Sequence, residues 1–141
     1  MQTSMEILLV EDNEGDVEMT ERALRDGEPA CRLSVVNNGL EALDFLLKRA
    51  GFASASTPQL ILLDLNMPRM DGKKFLEAVK EDSQLRTIPV VMLTSSQSPK
   101  DIRDCYERHA NCYVVKPFEG REFISAVRQI VTFWSRLVQF G

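Results

Sequence analysis

Apolar and polar positions follow two alternating rhythms along this chain. Short apolar or β-branched runs, at 5–10, 32–36, 60–63, 88–93 and 112–115, are too brief for helices and read as strands. The run at 60–63 has no polar interruption, as expected of a strand buried on both faces. Between the runs, apolar residues recur three and four apart. The first such stretch, over about 14–26, carries Val17, Thr20 or Glu21, and Leu24; Asp12 or Asn13 can cap it and Gly27 can stop it. A second helix follows the Asn37-Asn38-Gly39 turn with Leu40, Leu43, Leu46 and Leu47 on one side, and ends at Ala50-Gly51. The small residues of 51–57, closed by Pro58, read as a solvated loop. After Gly72 a third helix carries Phe75, Leu76 and Val79 and fades at Glu81-Asp82-Ser83. Ser98 is a cap and Pro99 a first helical residue for a fourth, lightly apolar helix whose inward candidates are Ile102, Cys105 and Tyr106. The last helix is expected from about 119 to beyond Leu137.

Five strands alternating with five helices is the pattern of parallel βαβ units, an α/β three-layer sandwich with helices on both faces of one sheet. Right-handed crossovers bring the carboxyl ends of the strands to a single edge, where ligands bind. The residues that fall there are Glu11 and Asp12 after the first strand, Asp64 after the third, Thr94 after the fourth and Lys116 after the fifth. Each has an ordinary reading by itself: Asp64 as a cap or loop residue, Glu11-Asp12 as a cap pair, Thr94 as a strand end, Lys116 before Pro117 as a solvated turn. Their joint placement allows one pocket. Three carboxylates crowded there repel one another, and a divalent cation relieves the repulsion. Oxygen ligands favour Mg²⁺, a lysine opposite them adds positive charge, and a hydroxyl adds a hydrogen bond. Such a set suits a phosphoryl group, with an aspartate as nucleophile.

Four motifs carry a resemblance: Val10-Glu11-Asp12-Asn13, then 63–72 from Leu63-Asp64 through Asn66-Met67-Pro68 to Asp71-Gly72, then Leu93-Thr94-Ser95, and Val115-Lys116-Pro117. In this order and spacing the chain resembles a single-domain response regulator, the receiver module of two-component signalling. The resemblance implies a flavodoxin-like (βα)5 fold with strand order 2-1-3-4-5. It implies Asp64 as phosphoacceptor, with Mg²⁺ held by Glu11, Asp12, Asp64 and the backbone carbonyl of Asn66. It also implies that Lys116, followed by Pro117, pairs with the phosphoryl group, that Thr94 bonds to it, and that Tyr113 is the switch aromatic. The phosphoryl donor would be a sensor histidine kinase. The output would be a changed surface on the fourth helix, fifth strand and last helix, as Thr94 is drawn inward and Tyr113 enters the space it leaves. On this reading the protein is no enzyme beyond promoting its own phosphorylation and dephosphorylation. The long loop before Pro58, the Lys73-Lys74 pair and the aromatic tail are similar to regulators paired with phytochrome-type kinases.

Composition narrows the picture further. At 141 residues, a single domain over 1–141 with no output domain is expected. A 44% hydrophobic, 27% charged composition suits a globular chain, with no run long enough to cross a bilayer. The absence of a leader pattern in the first residues points to the cytoplasm. Cys31, Cys105 and Cys112, an odd number without metal-ligand spacing, suit reduced thiols there. A net charge of -4 argues against a free-standing nucleic-acid binder. A phosphohydrolase of the haloacid dehalogenase type would need a second carboxylate where Asn66 stands, and a binding module that is never phosphorylated would not need the pocket. His109, the sole histidine, is expected exposed near the end of the fourth helix and excludes a Ser-His-Asp arrangement. On a helical wheel of the last helix, Phe123, Val127, Ile130, Trp134 and Leu137 fall near one line, in an apolar arc wider than the ~100° that one sheet face requires. Phe133, Trp134, Leu137, Val138 and Phe140 are therefore expected to form a homodimer or partner surface; the competing reading is that Trp134 and Leu137 complete the domain's own core.

Overall fold

The computed structural model describes residues 4–25 and 30–140. Its strands are β1 (Met5–Val10), β2 (Cys31–Val36), β3 (Leu60–Leu63), β4 (Val90–Thr94) and β5 (Cys112–Val115), and its helices are α1 (Glu14–Arg25), α2 (Gly39–Leu46), α3 (Gly72–Glu81), α4 (Pro99–Glu107) and α5 (Gly120–Thr132). The strands are all parallel and lie in the order β2-β1-β3-β4-β5, as expected. Side chains alternate between the two faces of the sheet. Leu8, Val10, Ile61, Leu63, Val90 and Met92 pack with Ala42, Phe45, Phe75, Leu76, Val79 and Cys105 on the α2, α3 and α4 side. Ile7, Leu9, Leu60, Leu62, Val91 and Leu93 pack with Ala23, Leu24, Phe123, Val127 and Val131 on the α1 and α5 side. β3, at the centre, is fully buried along its length.

Register brings the chemistry to one level. Val10 lies opposite Leu63, Leu63 opposite Met92 and Thr94 opposite Val115, so Glu11, Asp64, Thr94 and Lys116 emerge together at the carboxyl edge. The helix starts are fixed locally: Asn38 accepts from the Glu41 N–H (2.9 Å), Asp71 from the Lys74 N–H (3.0 Å) and Ser98 from the Asp101 N–H (3.3 Å). Among the described residues no helix is long and apolar enough to cross a membrane.

Several boundaries and faces differ from expectation. β4 starts at Val90, because Pro89 has no N–H to donate; its carbonyl still accepts from the Ile61 N–H at 3.0 Å. The α2 helix ends at Leu46, not at Ala50-Gly51, and Lys48 turns the chain with a φ of 57°. Its buried face is Ala42, Phe45 and Leu46, while Leu40 and Leu47 are exposed. Both lines satisfy a helical period, and the sheet takes the one with the largest ring and the smallest side chain. In α4, Cys105 is buried but Tyr106 is not. The expected stop of α1 at Gly27 falls outside the described residues.

The last helix is also corrected. Regular α5 stops at Thr132, a π-helical turn spans Phe133–Leu137, and Val138 is extended. A π turn winds more residues per revolution, so it rotates the following side chains off the expected line. Leu137 is consequently 76% exposed and Phe133 exposed, whereas Trp134 and Phe140 pack against the α1 and α5 core. Trp134 stacks on Phe140 (centroids 6.5 Å) and meets Phe133 edge-on (5.7 Å). Of the five tail residues, Phe133 and Leu137 are thus the exposed ones, while Trp134, Val138 and Phe140 are half-buried.

Candidate metal and phosphoryl site

At the carboxyl edge one oxygen each from Glu11, Asp12 and Asp64 lies within 4.8 Å of the others. Glu11 is 2% and Asp64 7% exposed, and Asp12 opens to solvent. Asp64 Oδ1 accepts from the Leu65 N–H at 2.8 Å, and Oδ2 is 3.5 Å from Lys116 Nζ. Lys116 is held by its backbone as well, since its N–H donates to the Thr94 carbonyl at 2.8 Å and joins the ends of β4 and β5. Its ammonium donates to Glu11 Oε1 (2.5 Å) and to Asp16 Oδ2 (2.7 Å). Pro117 follows and closes β5.

The loop after Asp64 is clamped at both ends by glycines, and the reason is space. A Cβ on Gly72 would lie 2.3 Å from the Asp64 carbonyl oxygen, and the Gly72 N–H donates to the Leu65 carbonyl at 2.9 Å. A Cβ on Gly39 would lie 2.8 Å from the Met70 carbonyl, to which the Gly39 N–H donates at 3.2 Å. Asn66 lies exposed on this loop, two residues beyond Asp64. Asp71 caps α3 from within its own segment, whereas the close approach of Gly72 to Asp64 spans the whole loop and has no local signal.

Burial raises the pKa of Glu11 to about 8, with Asp64 adding to the rise and Lys116 opposing it. Burial works to lower the Lys116 pKa, but its hydrogen bonds to Asp16 and Glu11 outweigh that and the net shift is upward. Glu11 Oε2 is buried with no hydrogen-bond partner. An orphaned, buried carboxylate oxygen beside two further acids is the donor set of a hard divalent cation, and these residues fit one. No histidine or thiol contributes to the cluster, and His109 lies exposed just after α4.

Thr94 is fully buried at the end of β4, and its hydroxyl accepts from the Ser96 N–H at 3.4 Å. Half-buried Tyr113 donates its hydroxyl to the Ser96 carbonyl at 2.9 Å, and its N–H donates to the Tyr106 hydroxyl at 3.1 Å. Burial pushes the Tyr113 phenol up. Ser96 in turn donates to Asp101 Oδ2 at 2.6 Å, and Lys73 of α3 pairs with Asp101 (2.7 Å) and Asp104 (2.8 Å) of α4. Ser96, Asp101, Lys73 and Asp16 were not legible as a group, because their contacts join different elements. A separate groove of about 710 Å³ runs along α1 and α5, lined by Arg22, Arg121, Ile124, Arg128, Phe133 and Leu137, and takes in none of the acids.

Comparison with known proteins agrees with this geometry. Residues 7–128 match the response regulator receiver domain. The chain belongs to that family and is a signalling response regulator of two-component type. It is 36% identical to the response regulator Rcp1 of Synechocystis sp. over 132 residues, 94% of this chain and 90% of that one. Its fold superposes on the crystal structure of the phosphorylated cyanobacterial phytochrome response regulator RcpA with a TM-score of 0.95, at 36% identity and 99% coverage of both chains. The Mn²⁺-bound structure of Rcp1 gives a TM-score of 0.92 at 35% identity, covering 97% of this chain and 99% of that one. The bacteriophytochrome response regulator AtBRR gives 0.76 at 40% identity, covering 98% of this chain and 100% of that one.

Proposed function

We propose that Asp64 accepts a phosphoryl group from a phosphohistidine of a sensor kinase, with Mg²⁺ held by Glu11, Asp12, Asp64 and the carbonyl of Asn66. The observation that carries this reading is the convergence of three carboxylate oxygens within 4.8 Å, facing an ammonium 3.5 Å from Asp64. In the transfer an Asp64 oxygen attacks phosphorus, the phosphorus–nitrogen bond of the donor breaks, and the imidazole leaves with its electron pair. The cation would neutralise charge on the phosphoryl oxygens. Lys116 supplies positive charge from the opposite side, and Thr94 is placed at the adjoining strand end to bond a phosphoryl oxygen. Asn66 in place of a second acid removes the base that a hydrolase would use, so the aspartyl phosphate is a signal that this chain does not turn over on external phosphomonoesters.

The response runs through Ser96. Tyr113 is bound to its carbonyl and Asp101 to its hydroxyl, so a move of Thr94 toward a phosphoryl group pulls on both β5 and α4. Tyr113 thus starts from a tethered position, and the switch is a change in what Ser96 holds. The output face is α4, β5 and the tail, and a homodimer through it rests on exposed Phe133 and Leu137 with Val138 beside them, since Trp134 and Phe140 are partly used by the core. The likeness to the phytochrome response regulator RcpA and the bacteriophytochrome response regulator AtBRR supports a kinase of that type, and the thiols of Cys105 and Cys112 suit the cytoplasm. Incubation with a small-molecule phosphodonor and Mg²⁺, followed by intact mass, is expected to show one added phosphoryl group in the wild type and none in Asp64→Asn. Equal labelling of the two would overturn the assignment. Sedimentation of the labelled protein tests the dimer, and a concentration-independent monomer excludes it.

A further inference from the structure

Lys116 does not rest on the residue it is expected to serve. An ammonium has three N–H donors. Here two of its partners are close, Glu11 at 2.5 Å and Asp16 at 2.7 Å, and Asp64 is the distant one at 3.5 Å. Glu11 belongs to the carboxylate cluster that fits a cation, so it has a second demand on its oxygens. Asp16 lies outside that cluster. Nor is its side chain needed to start α1, because Asn13 Oδ1 accepts the Asp16 N–H at 2.9 Å and thereby caps the helix. Its carbonyl accepts the Thr20 hydroxyl at 2.8 Å, so its backbone is fixed and its carboxylate is aimed across the edge of the sheet at a residue 100 positions away. The Asp16–Lys116 pair is mostly sheltered, with side chains 21% and 10% exposed.

We propose that Asp16 is a positioning residue that competes with the phosphoryl group for Lys116, holding the ammonium toward α1 in the unphosphorylated protein and so weakening capture of the group on Asp64. The physical basis is that a donor shared with an ionised carboxylate must give up part of that charge-assisted bond to serve a new anion. This inference rests on the reading of Asp64 as acceptor. Removing the competitor shifts the balance toward the phosphorylated state.

The test is calorimetric titration of the full chain with beryllium fluoride, a phosphoryl mimic, in saturating Mg²⁺, together with the hydrolysis rate of the aspartyl phosphate. Asp16→Asn is expected to bind the mimic about three- to tenfold tighter and to slow hydrolysis by a similar factor, the range for losing one partly sheltered charged competitor. Asp16→Glu keeps a carboxylate within reach and is expected to return both values to within about twofold of wild type. A merely structural role for Asp16 would loosen binding in Asp16→Asn, and either loosened or unchanged binding overturns the proposal. Asp64→Asn separates the two readings. If it takes up the mimic as well as wild type does, the acceptor assignment and this inference both fall; if it takes up none while Asp16→Asn equals wild type, only this inference falls.

Discussion

α5 and α4 flank the same strand and are held in opposite ways. α5 buries Phe123, Val127 and Val131 against the sheet and adds Trp134 from the turn that follows. α4 buries only Cys105, and its position is set by Lys73 reaching from α3 to Asp101 and Asp104, with Lys100 adding to Asp104 and Arg108 meeting Glu77 at 3.4 Å. Apolar burial is non-directional and is lost only with cooperative opening, whereas partly exposed ion pairs are individually weak and exchange partners cheaply. The element tied to Ser96, and through it to Tyr113, is therefore the one with replaceable contacts.

The largest expected effect is on the apolar side. Phe123→Ala should cost about 3–5 kcal/mol in urea unfolding, as for a large ring removed from a packed core. A loss under about 1 kcal/mol would erase the distinction between the helices. Gly72→Ala, at the first residue of α3, should cost about 1–3 kcal/mol and displace Asp64, because the new methyl meets a backbone carbonyl that has nowhere to go. Its check is the phosphodonor labelling rate alongside the unfolding curve, and unchanged labelling would refute the clamp. Lys73→Met should leave global stability within about 1 kcal/mol while amide exchange across α4 accelerates and that of α5 does not. Equal exchange in the two helices would break the comparison.

Acid should produce the mildest and most reversible change. Hydrogen bonds from Lys73 and then Ser96 hold the Asp101 pKa below its usual 3.8, and those from Lys100 and then Lys73 do the same for Asp104. A depressed folded-state pKa means that the stabilisation is present above the usual value and is lost as pH falls below it toward the folded value. Between neutral pH and about 4, α4 should stay docked; further acidification should loosen α4 first, with the Trp134 environment unchanged at that stage. Lys73, raised by Asp101 first and Asp104 second, keeps its charge throughout that range. Residue-resolved amide exchange on acidification would show the order, and simultaneous loss of both helices would contradict it.

Legibility follows the range of the signal. The five strands, the cap at Ser98 and the strand-end positions of Glu11, Asp12, Asp64, Thr94 and Lys116 depend on neighbours a few residues away, and reading them locally places them to within two residues, β4 starting at Val90 rather than Ile88. The buried face of α2 was not legible, because two lines of apolar residues satisfy the same period and only the sheet chooses between them. The tail was not legible for a related cause: one π turn changes the winding by a residue, and no local pattern announces it. Lys73 stands in the sequence only as half of the Lys73-Lys74 pair, and only the approach of α4 to α3 turns it into a bridge.

The sequence by itself determined an alternating α/β chain whose acids, hydroxyl and lysine gather at one edge, because run length and capping are properties of contiguous residues. Only the tertiary structure decided that Asp16 meets Lys116, that Gly72 lies against the Asp64 carbonyl and that α4 is held by charge. Those contacts join residues distant along the chain, and the packing of whole elements sets their separations.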